Sequence, residues 1–372
     1  MSARPSTRRT ATLASLAAEL GVSRTTVSNA YNRPDQLSPQ LRQRVLEAAK
    51  RLGYPGPDPL ARSLRTRRAG AIGLLLTEAL SYAFRDPAAV AFLEGLAREC
   101  EDARMGLLLV PAVPGSGTDP ALAAGAAVDG FVVYSLPQSD PHLEAVLARP
   151  LPTIIVDEPL DIAEADWVGI DDRAAAVEVG KHLAGLGHRR VGIVCTRLSP
   201  TRFDGSASMS QQLNSTYDVV RLRLEGLCNG LGVERETIPV WECWDHSEDA
   251  GERAALGLLA AHPDVTAVAC TTDILALGAL RAAARRGIGV PAELSVTGFD
   301  DVPEATAAGL TTVAQPHAEK GRAAWRLFTR EDRDKTAAVR ETISTELVVR
   351  GTTDRPRNGS LDALGAPASH PT

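Results

Sequence analysis

Gly21-Val22-Ser23-Arg24-Thr25-Thr26-Val27-Ser28-Asn29 is a stretch in which one helix has ended and the next begins two residues later. Gly21 suits the left-handed backbone that closes a helix, Val22 can turn inward, and Ser23 can accept a hydrogen bond from the first turn that follows. Upstream, Thr12 reads as the cap of a first helix whose apolar residues Leu13, Leu16, Ala17 and Leu20 share one face. Helices joined by so tight a turn cross steeply, the geometry that presents the second helix to a DNA major groove. At about 3.6 residues per turn, Thr26, Val27 and Ala30 fall toward the first helix, while Arg24, Thr25, Ser28 and Asn29 fall outward. Arg suits the acceptor pair on guanine, and Asn the donor–acceptor pair on adenine. Ser23, Thr26 and Asn32 complete the expected DNA-contacting set of this segment. A third helix is signalled by Ser38 as cap, Pro39 at its first position, the stripe Leu41, Val45, Ala48 and Leu52, and Gly53 as its stop. The competing reading is a three-helix module whose polar face is merely solvated.

The charge distribution favours nucleic acid. Residues 1–68 carry 13 Lys and Arg against 4 Asp and Glu, whereas the rest of the chain carries 27 against 42, for a formal net charge of −6. A basic head on an acidic body is the electrostatic pattern of a DNA-binding domain joined to a partner that avoids DNA. A disordered basic tail is the other reading. Residues 1–9 fit it, but the apolar pattern after them is too regular. At 372 residues and 44% hydrophobic composition, two or three globular domains are expected. The cysteines (Cys100, Cys195, Cys228, Cys243, Cys270) are scattered without a Cys-x-x-Cys pair, so neither a disulfide framework nor a zinc site is expected. No apolar run of about 18 residues occurs, and none follows the basic start, so neither a membrane span nor a secretory signal is expected. The cytoplasm is the compartment that fits.

Past Gly53 the run Tyr54-Pro55-Gly56-Pro57-Asp58-Pro59 cannot continue a helix. Pro59 can open a short one, Leu60-Ala61-Arg62-Ser63-Leu64-Arg65. Three segments in fixed order, Leu20 to Ser28, Val45-Leu46-Glu47-Ala48-Ala49-Lys50-Arg51-Leu52-Gly53-Tyr54 and Leu60 to Leu64, closely resemble the LacI/GalR family of bacterial repressors. The resemblance implies a homodimer whose paired hinge helices, carrying Arg62 and Leu64, meet the minor groove of a pseudo-palindromic double-stranded operator. Leu64 would act as the wedge: an apolar side chain that unstacks a base step costs about a few kcal/mol, offset by the added contacts. Leu64 as an ordinary linker leucine is the alternative.

From Ala71 onward short apolar runs alternate with helical segments. Ile72 to Leu76, Gly106 to Val110, Gly130 to Tyr134 and Thr153 to Asp157 read as strands, with a helix near Pro87–Ala103. A second series is expected near Trp167, with a helix at Arg173–Leu186 and strands at Arg190 to Val194 and Ala267 to Thr271. Continuous apolar strands between amphipathic helices mean parallel sheets covered on both faces, with ligands at the carboxyl ends of the strands. The resemblance extends over this region through Lys181 to Arg190, Arg223 to Gly226, Asp273 to Gly278, Val296 to Asp301 and Leu310 to Pro316. It implies a two-lobed periplasmic-binding-protein-like sensor in which the chain crosses between lobes three times. The fold expected is multidomain: an all-α helix-turn-helix headpiece at 10–55, a hinge at 56–69, an α/β effector-binding and dimerisation domain of two discontinuous lobes at 70–350, and a flexible tail at 351–372. The tail holds no leucine heptads, so a dimer is expected rather than a tetramer.

Asp157 and the pair Asp300-Asp301 follow apolar strand runs, and Arg223 reads as opening a helix. In the family, positions matching Asp157, Arg223, Thr272, Asp300 and Gln315 line the effector cleft. Carboxylates and a guanidinium suit the paired hydroxyls of a sugar or other polar metabolite. Ser81 and, more loosely, Trp244 join the candidate set, Trp244 as a stacking platform. Asp300 as a strand-end cap and Arg223 as a surface ion-pair partner are the structural alternatives. Three departures from the family point away from a simple sugar: Thr272 where many members carry Asn, the long polar connection Thr196–Thr216 that could fold over the cleft, and the segment Ala79 to Pro87. No phosphate-loop, dinucleotide, nucleophile-elbow or zinc-protease motif occurs, and the seven histidines are dispersed. No enzyme activity, cofactor or metal is expected.

Overall fold

The computed structural model describes residues 11–56, 68–113, 119–333 and 337–357. Residues 1–69 and 70–372 form two separate compact units. The hinge helix, and with it Arg62 and Leu64, lies outside the described residues, as does most of the tail.

In the first unit the local signals act as their chemistry dictates. Helix α1 (Leu13–Leu20) starts on a Thr12–Ser15 capping box and ends at Gly21, whose φ of 63° is the left-handed region. Helix α2 (Arg24–Asn32) starts at Ser23, whose side chain accepts the Thr26 N–H. Helix α3 (Pro39–Leu52) is capped by Ser38 and closed by Gly53. Leu16, Ala17, Val27, Ala30, Val45, Ala48 and Ala49 form the buried centre, with Leu13, Leu20, Leu37 and Leu52 packed around it.

The second unit holds two parallel sheets. The sheet of lobe one has the order β12-β5-β4-β3-β1-β2, built from β1 (Ala71–Leu76), β2 (Gly106–Pro111), β3 (Phe131–Tyr134), β4 (Thr153–Val156), β5 (Asp166–Gly169) and β12 (Arg340–Thr342). The sheet of lobe two runs β10-β9-β6-β8-β7, from β6 (Val191–Cys195), β7 (Gly205–Ser206), β8 (Val240–Glu242), β9 (Ala267–Cys270) and β10 (Ser295–Thr297). Within these two sheets all pairs are parallel except β7 with β8. The central strands β4 and β6 are buried along their whole length, as expected for strands covered on both faces.

Trp167, expected to begin the second series, instead belongs to β5, which pairs with β4 in lobe one. Periodicity separates strand from helix but says nothing of which sheet a strand joins, and that is where the expectation fails. The second lobe begins at the next helix, Asp172–Leu186. The chain returns to lobe one through helix His317–Thr329, which packs on helix Pro87–Asp102, supplies β12, and crosses once more to β13 (Glu346–Val348), the partner of β11 (Thr312–Ala314). These are the three crossings that the resemblance implied. The helix pairs approach closely at glycines. A Cβ on Gly95 would lie 2.0 Å from Ala318 O, and one on Gly226 would lie 2.3 Å from Arg173 O. The Thr196–Thr216 connection is folded into β7 and helix Met209–Leu213 at the sheet edge, so it is not a loose flap.

Candidate ligand cavity and nucleic-acid interface

Where the two sheets face each other, the strand ends turn sharply. Asp157, just past β4, has φ 63°; Ser135, past β3, has φ 53°; Asp300, past β10, has φ 129°. Non-glycine residues held in this region carry strain that functional sites commonly store. All three line one cavity of about 160 Å³ between the lobes.

Arg223, Thr272, Asp157, Asp300 and Gln315 converge on this cavity. Arg223 does not open its helix. It sits in the second turn of Asp218–Leu231, on the same buried stripe as Val220, Leu224 and Leu227. Its Nε donates to Asp172 Oδ1 at 2.8 Å, its Nη1 to Thr271 O at 2.6 Å, and its Nη1 lies 3.9 Å from Asp300 Oδ1. The guanidinium also covers the Phe299 ring at 3.8 Å. The alternative of Arg223 as a surface ion-pair partner therefore fails, because Arg223 is 6% exposed.

A second buried cation completes the network. Lys320, 1% exposed, donates to Asp157 Oδ1 and to Gln315 Oε1, each at 2.7 Å. Gln315 Nε2 passes the chain on to Asp300 Oδ1 at 2.7 Å. A continuous buried polar chain thus runs from Asp157 in lobe one, through the crossing, to Asp300, Arg223 and Asp172 in lobe two. Burial pushes the Asp300 carboxyl well above its ordinary value, against the opposing pull of Arg223.

Direct bonds close the lobes on each other. Leu160 N–H donates to Asp218 Oδ2, and Val219 N–H to Glu158 Oε2, each at 3.0 Å. Arg197 pairs with Glu78, and Tyr82 OH meets both Asp86 Oδ2, at 3.0 Å, and His246 Nδ1. His246 Nε2 bonds Thr272 Oγ1 at 2.8 Å, and Thr272 also caps helix Asp273–Arg286. Thr272 is therefore engaged by protein on two sides.

Ser81 and Trp244 stand apart from the cavity. Ser81 is exposed, and its carbonyl accepts from Arg85 Nε; its neighbours Tyr82 and Asp86 take the place expected of it. Trp244 lines an outer depression and stacks with Arg197 at 4.8 Å. Of the Thr196–Thr216 connection, Thr196 and Arg197 line the cavity. Glu78, Tyr134, Glu158, Tyr217, His246, His317 and Lys320 are lining residues that the sequence reading did not single out.

Glu158 offers a test of this closure. Burial pushes its carboxyl up to about 8, opposed by the Val219 N–H. A carboxyl raised from 4.5 to about 8 on folding keeps its proton longer in the fold than in the unfolded chain. Its contribution is complete below pH 4.5 and is lost as pH climbs toward 8. Glu158→Gln keeps the acceptor without the titration. It is expected to flatten the decline in stability between pH 5 and 8 and to gain at least about 1.4 kcal/mol over the parent at pH 8, read by urea unfolding at both pH values. A parallel slope in the variant would contradict the assignment.

On the headpiece, Arg24 and Thr25 are exposed on α2. Ser28 is bonded by Asn32, whose Nδ2 reaches Ser28 Oγ at 3.1 Å and Ser28 O at 3.0 Å. Asn29 Nδ2 donates to Gln36 Oε1 at 3.1 Å, which leaves its second N–H and its Oδ1 for a base. Ser23 and Thr26 bond each other at the helix start.

Comparison with known proteins follows the same division. Residues 12–56 match bacterial regulatory proteins of the lacI family, and residues 181–353 match a periplasmic binding protein-like domain. An HTH-type transcriptional regulator of Mycobacterium tuberculosis is 50% identical over 357 residues, spanning 95% of this chain and 99% of that protein. The crystal structure of a LacI family transcriptional regulator from Corynebacterium glutamicum superposes with a TM-score of 0.70 at 39% identity, covering 93% of this chain and 98% of that one. The complex of the transcriptional regulator CelR with cellobiose gives 0.65 at 27% identity, covering 92% and 99%.

Proposed function

The chain belongs to the LacI family of bacterial transcriptional regulators, and from that premise we propose that it is a repressor whose grip on an operator is set by a small molecule held between its two lobes. One observation carries this reading: a capped helix-turn-helix with an exposed polar face occurs in the same chain as a cavity walled by both lobes. A homodimer would set two α2 helices in major-groove half-sites about 34–36 Å apart on a pseudo-palindrome. The apolar side chains Phe84, Val90, Leu108 and Leu122, all exposed on lobe one, suit pairing of that kind. A change in the lobe angle on filling the cavity would reach the DNA through the hinge, a coupling of about 1–3 kcal/mol. A regulator of this kind works in the cytoplasm, where its operator is; no helix among the described residues is long and apolar enough to cross a membrane.

The base-reading face is tested by operator selection with the intact protein. Arg24→Ala or Asn29→Ala is expected to cost about 1–3 kcal/mol and relax preference at one position of each half-site. A uniform loss over all sequences, with a shallower salt dependence, would make the residue a phosphate contact instead.

A further inference from the structure

The polar side chains on the later turns of α2 are bonded in pairs. Asn32 Nδ2 holds Ser28, and Asn29 Nδ2 donates to Gln36 Oε1 at 3.1 Å. Gln36 lies beyond α2, seven positions after Asn29, and outside the set of residues that the sequence marked for DNA. It ends the short 3-10 helix Pro34–Gln36. Backbone bonds brace this turn against α2: Arg33 N–H donates to Asn29 O at 2.9 Å, Gln36 N–H to Arg33 O at 3.0 Å and Leu37 N–H to Pro34 O at 3.2 Å. Pro34 fixes its own φ at the first position, and Leu37 packs on the buried centre of the headpiece. Gln36 therefore reaches Asn29 from a fixed base.

The bond does little for folding. Gln36 is exposed, and water offers an exposed amide the same partners. Its consequence is orientation. The outer torsion of an asparagine side chain is broad and two-fold, so an unheld amide presents its oxygen and its N–H in either order. Adenine sets an acceptor at N7 beside a donor at N6, which an asparagine matches in one order only; thymine offers an acceptor and cytosine a donor. An amide free to turn meets all three edges. One whose first N–H is taken by Gln36 shows its second N–H and its Oδ1 in a single order. Holding it beforehand also spares part of the ordering cost that binding would otherwise carry.

Building on the reading of Asn29 as a base contact, we propose that Gln36 is a specificity-determining residue that acts through Asn29: it holds the Asn29 amide in one orientation and so sets which base α2 prefers there. It is a positioning residue and does not itself read that base. The test uses the intact protein, with operator selected from a randomised DNA pool and affinities then measured for the selected site and its single-base variants. The position that Asn29→Ala relaxes is the one Asn29 reads. At that position Gln36→Ala is expected to lower the ratio of preferred to next base by about 5-fold or more, the lower end of what a base contact supplies. Affinity for the non-preferred sites, and the melting temperature of the headpiece, should stay where they are. Gln36→Glu can still accept the Asn29 N–H; it should keep the preference while its negative charge weakens binding to all sequences alike. The double variant Asn29→Ala/Gln36→Ala should be no less selective than Asn29→Ala alone. An unchanged ratio in Gln36→Ala, loss of preference in Gln36→Glu, or further relaxation in the double variant, the mark of a Gln36 that reads DNA by itself, would overturn the proposal and leave Asn29 as a base contact. If Asn29→Ala relaxes no position, the reading of Asn29 fails and the role of Gln36 fails with it.

Discussion

Arg223→Ala is expected to destabilise the two-lobed unit by about 3–5 kcal/mol, the cost of stripping one partner from a buried ion pair. The side chain holds Asp172 at 2.8 Å and the Thr271 carbonyl at 2.6 Å, stands 3.9 Å from Asp300, and covers Phe299. Its removal leaves two buried carboxylates facing a void. Burial already pushes both upward, and Arg223 is the largest force pulling each back down. In the variant they will hold protons to higher pH in the fold than when unfolded, so stability falls as pH rises above their ordinary range. The loss should therefore be larger at pH 8 than at pH 5. Urea unfolding followed by tryptophan fluorescence reports it cleanly, because Trp167, Trp241, Trp244 and Trp325 all lie in this unit. A loss below about 1 kcal/mol, typical of an exposed pair, would contradict the buried network.

The second large effect is expected in the headpiece, where Leu16→Ala should abolish most operator binding without touching the body. Leu16 is fully buried, and among the described residues of the headpiece the only other buried side chains larger than alanine are Val27 and Val45. Truncating a buried leucine costs about 2–5 kcal/mol, and a core of this size rarely supplies more than about 3–5 kcal/mol in total. The balance tips toward the unfolded headpiece, and each 1.4 kcal/mol past the midpoint costs about tenfold in apparent affinity. Operator affinity should fall several-fold to about tenfold, while unfolding of the body, read by its tryptophans, stays where it was. Retained affinity would show that α1 does not hold α2 in place.

The headpiece was legible because its signals are local. Ser23 and Ser38 bond backbone three residues on, and Gly21 and Gly53 close helices in which they are the next residue. The cavity was legible only in part, for the opposite reason. Asp157 and Asp300 follow strands and so fall at the open ends of sheets, and that placement can be read from the chain alone. Lys320 meets Asp157 across 163 positions of sequence, and Tyr82 meets His246 across 164. No periodicity encodes such a meeting. A signal for Lys320 did exist: it shares a helical stripe with His317, Ala324 and Leu327, all of them buried, and a lysine on an apolar stripe asks for a buried partner. Ser81 was misplaced by one residue, since Tyr82 and Asp86 turn inward where Ser81 faces water. Trp244 stacks on Arg197 outside the cavity, a position no local pattern distinguishes from inside it.

The central claim is that filling the cavity changes the hold on DNA. It is tested most directly by measuring operator affinity of the intact protein with and without a saturating small molecule that calorimetry shows to bind the two-lobed unit. A coupling of about 1–3 kcal/mol predicts a change of about 5- to 150-fold, and the same factor should appear in the affinity for the small molecule when operator is present. Identical operator affinities, with the cavity demonstrably filled, would contradict the account.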